Sequence, residues 1–237
     1  MLEATTEINS ETNFLEGKVL LFNKPLTWSS FDLVKKVRNT IKSNLNIRKI
    51  KVGHAGTLDP LADGLLIICT GKFTKKIDEI QRQKKVYTGE ITLGGTTPSY
   101  DLETEIEETF DTSHITEELI HNRCKKFEGK IMQKPPIYSA LKREGKRLYQ
   151  HAREGTKIEI KEREVEIEYF KITSIEMPKL KFEVVCSKGT YIRSLAYDFG
   201  KELNSGALLS ALRREKIGDY YLSDAFSLNS FMEDIVK

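Results

Sequence analysis

Twelve consecutive residues constrain this chain more than any others: Gly53-His54-Ala55-Gly56-Thr57-Leu58-Asp59-Pro60-Leu61-Ala62-Asp63-Gly64. The apolar run Leu65-Leu66-Ile67-Ile68-Cys69 follows at once and reads as a buried strand. Three glycines admit backbone angles closed to other residues and let a second molecule come close. Pro60 steers Asp59 out of helical geometry into an extended or turn conformation. One carboxylate is therefore expected on a stiff loop beside rigid core, which suits a catalytic group. An isolated Asp-Pro more often marks a turn whose Asp bonds its own backbone. The rest of the chain has to decide between the two.

With 237 residues, 39% hydrophobic and 31% charged, the composition is that of an ordinary soluble globular protein with ample core. No apolar run nears the ~20 residues that cross a bilayer. Residues 1–16 are polar, without the basic and apolar regions of a signal peptide, and are expected to form a flexible tail. A cytoplasmic location is the matching expectation. Cys69, Cys124 and Cys186 are odd in number and sit in apolar patterns, so they read as reduced core residues, neither a disulfide frame nor a metal site.

Net charge is only +3, but it is unevenly spread. Acids crowd 101–118. Bases crowd 72–85, 125–134 and 142–153, the last group including Lys146, Arg147 and Arg153. Each cluster alone suits a solvated face; together they are consistent with one cationic surface tracking phosphates.

Regular elements follow from spacing. Residues 17–23 read as a short strand ended by Lys24-Pro25. Ser29 with Asp32 three residues on resembles a capping box, opening a helix with Phe31, Val34, Val37, Ile41 and Leu45 on its apolar side. Residues 86–94 alternate as a strand with Tyr87, Ile91 and Leu93 on one face. Thr116 starts a second helix. Pro135-Pro136 predicts an extended, exposed connection. Residues 157–175 alternate as half-buried strands, 180–186 form another, and Thr190 is expected to cap a helix carrying Ile192, Leu195, Ala196, Phe199 and Leu203. Arg193 then falls in the first turn, where the helix dipole opposes a cation and an anionic partner is invited. Buried strands, amphipathic helices and alternating late strands imply an α+β fold with helices flanking a mixed, largely antiparallel sheet.

The pattern Gly-His-x-Gly-x-Leu-Asp-Pro-x-Ala-x-Gly-Leu-Leu resembles the catalytic-aspartate motif of the TruB-type tRNA pseudouridine synthases, far stricter than a lone glycine motif. Further blocks fit the same family in order. Lys24-Pro25-Leu26-Thr27-Trp28-Ser29-Ser30 is similar to its Lys-Pro-x-Gly-x-Thr-Ser motif, with Thr27 where glycine is usual. Lys85-Val86-Tyr87 with Leu93-Gly94 fits its tyrosine motif, and Thr97-Pro98-Ser99-Tyr100-Asp101 its Thr-x-Ser-x-Asp element. The stretch from Gln133 through Pro135-Pro136 to Arg153 resembles its RNA-gripping insertion, here about 130–155. Gly189-Thr190-Tyr191-Ile192-Arg193 and Gly206-Ala207 to Leu212-Arg213-Arg214 complete the set.

The resemblance implies a pseudouridine synthase fold with a central RNA-binding cleft and a single catalytic domain over 17–237. After 226 only 227–237 remain, so the family's C-terminal PUA domain is expected to be missing. It implies isomerisation of uridine 55 in the tRNA T-loop to pseudouridine, with the base flipped out. Asp59 would be the catalytic carboxylate, Arg193 its ion-pair partner and Tyr87 the ring stacked on the uracil. His54, Tyr191, Leu212, Lys146 and Arg147 would contact substrate or RNA. The isomerisation gains no atoms or electrons, so no cofactor and no metal are expected. The expected partner is the tRNA T-loop stem-loop, met by a monomer that touches no membrane. A synthase for ribosomal RNA would favour a Gly-Arg-Leu-Asp core; a guide-RNA-dependent relative usually carries the C-terminal domain; an RNA chaperone would bind tRNA and leave it unmodified.

Overall fold

The computed structural model describes residues 2–143, 145–156 and 158–237; Met1, Glu144 and Lys157, the last of these the start of an expected strand, lie outside the described residues. In chain order the first elements are β1 (Val19–Lys24), α1 (Ser30–Asn44), β2 (Val52–His54), β3 (Ala62–Thr70), α2 (Ile77–Gln81) and β4 (Lys85–Leu93). Then come β5 (Gly95–Thr96), β6 (Glu108–Thr109), α3 (Glu117–Cys124), β7 (Gly129–Gln133), β8 (Lys142–Arg143), β9 (Lys146–Arg147) and α4 (Leu148–Arg153). The last are β10 (Arg163–Glu176), β11 (Lys179–Cys186), α5 (Ile192–Glu202), β12 (Ala207–Ile217), β13 (Tyr220–Tyr221) and α6 (Leu228–Asp234). By their contacts the residues gather into two compact units, Met1–Tyr87 with Arg213–Lys237, and Thr88–Leu212.

In the first unit β1 lies antiparallel to β3, Val19 opposite Cys69 and Lys24 opposite Gly64, and β2 pairs with the end of β3. Both faces of this pairing are buried, so its strands are apolar at nearly every position, as two-sided burial demands. Leu20 and Phe22 face the core that α1 and α6 complete, while Val19 and Leu21 face a second cluster with Ile80 and Ile217. The Ser29–Asp32 capping box forms as its spacing predicts. Phe31 does not join the buried stripe: it is 63% exposed, and Leu33, packed with Val34, Val37 and Ile41, takes that place. Residues 1–16, expected as a tail, contribute Ile8 and Phe14 to the core, and Thr5 N donates to Val19 O (2.8 Å). Their apolar residues are too sparse to show a period, yet Ile8 and Phe14 dock singly.

In the second unit β10 pairs with β11 on one side and β7 on the other, both antiparallel. Phe127, Phe170, Phe182 and Phe199 pack edge to face, with Phe170–Phe199 at 5.2 Å, joining α5 to these strands. Three expectations change here. Ile158 and Ile160 precede the strand, which starts at Arg163. Tyr191, not Thr190, is the N-cap of α5; the Thr190 hydroxyl turns back to donate to Ser187 O (3.1 Å). Pro135 and Pro136 are buried, because the segment around them fastens α5.

Candidate active site

The loop 55–61 joins β2 to β3; side chains of the first unit clamp its backbone just before Asp59, and backbone bonds hold it just after. Ser30, the first residue of α1, uses one buried hydroxyl twice: Oγ accepts from Leu58 N (2.8 Å) and donates to Leu58 O (2.9 Å). Arg214, 1% exposed, donates to Gly56 O (3.0 Å), Thr57 O (3.4 Å) and Leu65 O (2.8 Å). Gly64 holds φ +99°, and a Cβ there would stand 2.5 Å from Arg214 O, so the loop can close over this arginine only with glycine. On the far side, Ala62 N donates to Asp59 O (3.1 Å) and Thr27 N to Pro60 O (2.8 Å).

The charge inside this clamp is not small. Lys24 is fully buried and donates to Pro25 O (2.9 Å) and Trp28 O (2.7 Å). Burial lowers its pKa to about 8, against the pull of the Asp63 and Asp59 carboxylates and with the push of Arg214. The carboxylate of Asp59 thus lies on a loop backed by two buried cations. His54 ends β2; burial, then Arg214, lower its pKa, so the imidazole is neutral at pH 7, and its buried Nδ1 has no hydrogen-bond partner among the described residues. Tyr87 is buried on β4. Two residues earlier, the buried Lys85 ammonium donates to Gln81 O and to Gln83 O (2.6 Å), closing the end of α2.

The second unit builds a different seat. Arg193, 4% exposed, donates to Ser99 O (3.2 Å) and Tyr138 O (2.8 Å) and pairs with Asp101 at 3.4 Å. Asp101 is itself set: its Oδ1 accepts from Glu103 N (2.9 Å) and its carbonyl from Thr97 Oγ1 (2.7 Å). The Thr-x-Ser-x-Asp element is therefore the socket of the arginine, a role its residues did not reveal in sequence. The proline segment supplies the remaining braces. The Gln133 side-chain amide exchanges hydrogen bonds with the Tyr191 backbone (2.8 and 3.0 Å), and Ser194 Oγ donates to Lys134 O (2.7 Å). The Arg163 guanidinium covers the Tyr191 ring at 4.7 Å. Leu212 is half-buried on β12. Lys146 and Arg147 are exposed and form the two-residue strand β9, Lys146 paired with Glu154 (2.9 Å).

Thus Asp59, His54 and Tyr87 belong to the first unit, and Arg193, Tyr191, Leu212, Lys146 and Arg147 to the second. Sequence reasoning missed Ser30, Lys24 and Asp101, and assigned Arg214 no role. The cysteines are free and buried, and burial pushes the Cys69 and Cys124 thiols up to about 12. Among the described residues no group of three or more His, Cys, Asp or Glu is placed to hold a metal, and no helix is long and apolar enough to cross a membrane.

Comparison with known proteins adds to this geometry. Residues 42–192 match the family described as TruB family pseudouridylate synthase (N terminal domain). The tRNA pseudouridine synthase B of Flavobacterium johnsoniae is 59% identical over 94% of this chain and 97% of its own length. That of Phocaeicola vulgatus is 52% identical over 93% and 94%. Among solved structures, a chain in a Cbf5–Nop10–Gar1 complex superposes with TM-score 0.70 at 26% identity, over 97% of this chain and 62% of that one. This chain accordingly spans about three-fifths of that solved chain.

Proposed function

Because the chain belongs to the TruB family of pseudouridylate synthases, we propose that it isomerises uridine to pseudouridine in tRNA, at position 55 of the T-loop. The C1′–N1 bond breaks, the base turns, and a C1′–C5 bond forms; the proton displaced from C5 balances the one gained at N1. Atoms and electrons are conserved throughout.

Asp59 is the nucleophile in this reading. A carboxylate that must stay ionised once water is excluded needs cations nearby. Lys24 and Arg214 supply positive potential behind its loop, and Arg193 is the guanidinium we pair with it. Tyr87 stacks on the uracil, Leu212 frames it, and Tyr191 lines the substrate. A neutral His54 suits contact with RNA better than carrying charge. Lys146 and Arg147 meet phosphates, and the acting form is a cytoplasmic monomer.

The observation that carries the proposal is the clamp on the Asp59 loop: Ser30 and Arg214 hold the backbone of Gly56, Thr57 and Leu58 just before the acid, and Thr27 N holds Pro60 O just after it. Purified protein is incubated with an unmodified tRNA transcript and pseudouridine is mapped chemically at every uridine. Modification confined to position 55 is the expected result. Modification elsewhere would reassign the target, and tRNA that is bound but unmodified would favour a chaperone.

A further inference from the structure

A groove of about 460 Å³ opens on the first unit, lined by Thr27, Trp28, Asp32, Lys35, Lys36 and Asn39. Asp32, Lys35, Lys36 and Asn39 share one helix face, spaced by three, four and seven residues. That face is opposite the buried stripe Leu33, Val34, Val37 and Ile41. Trp28 packs against the core beneath α1 while also lining the opening, so a fixed aromatic surface borders it. Phe31, one turn before Lys35, adds an exposed ring.

The charge of the groove is cationic in effect. The Asp32 carboxylate is committed to the helix cap, accepting from Ser29 N (3.0 Å) and Ser29 Oγ (2.5 Å). Lys36 forms no ion pair among the described residues, and Lys35 feels the Asp32 carboxylate by charge alone, without a salt bridge. Two exposed ammonium groups beside a rigid indole are what a single nucleic-acid strand requires: cations neutralise phosphates and a ring stacks on a base. The lip of the groove is also tied to the Asp59 loop, through Thr27 N on Pro60 O at 2.8 Å.

We propose that this groove is an RNA contact separate from the insertion 130–155. In it, the backbone of the tRNA strand runs past Lys35 and Lys36 while a base packs on Trp28. The inference rests on the tRNA reading above and adds to it a second grip on the same substrate.

Trp28 is the one tryptophan in the chain and reports on the groove directly. Its emission is followed while unmodified tRNA transcript is added, alongside the anisotropy of end-labelled tRNA. Quenching should track anisotropy with one midpoint. Lys35→Gln with Lys36→Gln should weaken binding about five- to tenfold at 0.15 M salt and flatten the salt slope by one to two. Trp28→Ala should weaken it about tenfold, and Trp28→Phe, which keeps a ring, much less. Exposed lysines are removed without threat to the fold, so the double lysine variant decides even if Trp28→Ala is unstable.

Binding seen by anisotropy with silent Trp28 emission, or an unchanged slope in the lysine variant, overturns the proposal and leaves the tRNA reading standing. Emission that changes with protein concentration alone assigns the groove to a second copy of the chain and overturns it too. A wild type that binds no tRNA removes both.

Discussion

Asp59 and Arg193 are held in opposite ways. Around Asp59, side chains grip backbone: Ser30 and Arg214 take the carbonyls and amide of Gly56, Thr57, Leu58 and Leu65. Around Arg193, backbone grips side chain: Ser99 O and Tyr138 O receive the guanidinium directly, and Asp101 neutralises it. The first arrangement presents a group by fixing the loop that carries it. The second fixes the group itself. A nucleophile must change bonding during a reaction, whereas an electrostatic partner serves best when already oriented. On the roles proposed for Asp59 and Arg193, the two seats differ in the way those two tasks differ.

The largest effect expected from this contrast is on activity. Asp59→Ala should abolish turnover, at least about a thousandfold, with a smaller loss of stability than at Arg193, since the clamp falls on its neighbours. Arg193→Ala should lose activity and also about 3–5 kcal/mol of stability, because Asp101 is left buried and unpaired. Turnover on a tRNA transcript and urea denaturation of both variants check this. Equal stability losses would erase the distinction.

Ser30→Ala tests the clamp itself. It removes both hydrogen bonds to Leu58 and leaves a buried amide and carbonyl, at a cost of about 2 kcal/mol. Single-turnover rate should fall about ten- to a hundredfold as Asp59 loses its fixed position, since small misplacements are expensive. A variant that is less stable yet turns over at the wild-type rate would show that the loop needs no such anchor.

A third test asks whether the second unit, which seats one buried charge so fully, tolerates another. Asp198, on α5 with Arg193, has its pKa raised to about 6 by burial, with Lys201 opposing the shift and Glu162 adding to it. The folded state therefore holds a proton between about 4 and 6 that the unfolded chain releases. Stability from this group is present at low pH and lost as pH rises through 6. Asp198→Asn should raise Tm at pH 7 by about 2–4 °C and flatten the dependence on pH between 4 and 6. An unchanged pH profile of Tm would mean that Asp198 is solvated.

Much of this was legible in the chain, for reasons that differ by residue. The Ser29 capping box, the β1–β3 core and the Asp59 loop are local patterns in which neighbouring residues carry the signal. Asp101 was visible as a motif but not as the partner of Arg193, because 92 residues of sequence hide that contact. Pro135 and Pro136 misled toward exposure: their lost donors forbid a helix, but the segment's carbonyls are used by Arg193 and Ser194. The strand β12 and the helix α6 carry mixed polar and apolar residues whose period is set by tertiary neighbours. Phe31 failed for a geometric reason, since the helix buries Ser30 and Leu33 on either side of it and turns Phe31 outward.

The smallest expected effect concerns Thr27, which stands where the motif it resembles has glycine. Its φ is +69°, so the backbone keeps a left-handed shape although the residue is β-branched. Such a conformation costs about 1–2 kcal/mol for a non-glycine residue. It persists because its surroundings over-determine it: Lys24 holds the carbonyls of Pro25 and Trp28, and Thr27 N is spent on Pro60 O. Thr27→Gly should relieve that strain, and the greater freedom of glycine in the unfolded chain offsets part of the gain. A net stabilisation of about 0.5–1 kcal/mol, or roughly 2 °C in Tm, is the expected outcome. If the glycine variant instead melts lower, the threonine side chain is itself part of the clamp. The first seat would then rest on a grip from β1 and α1 together, not on Ser30 and Arg214 alone.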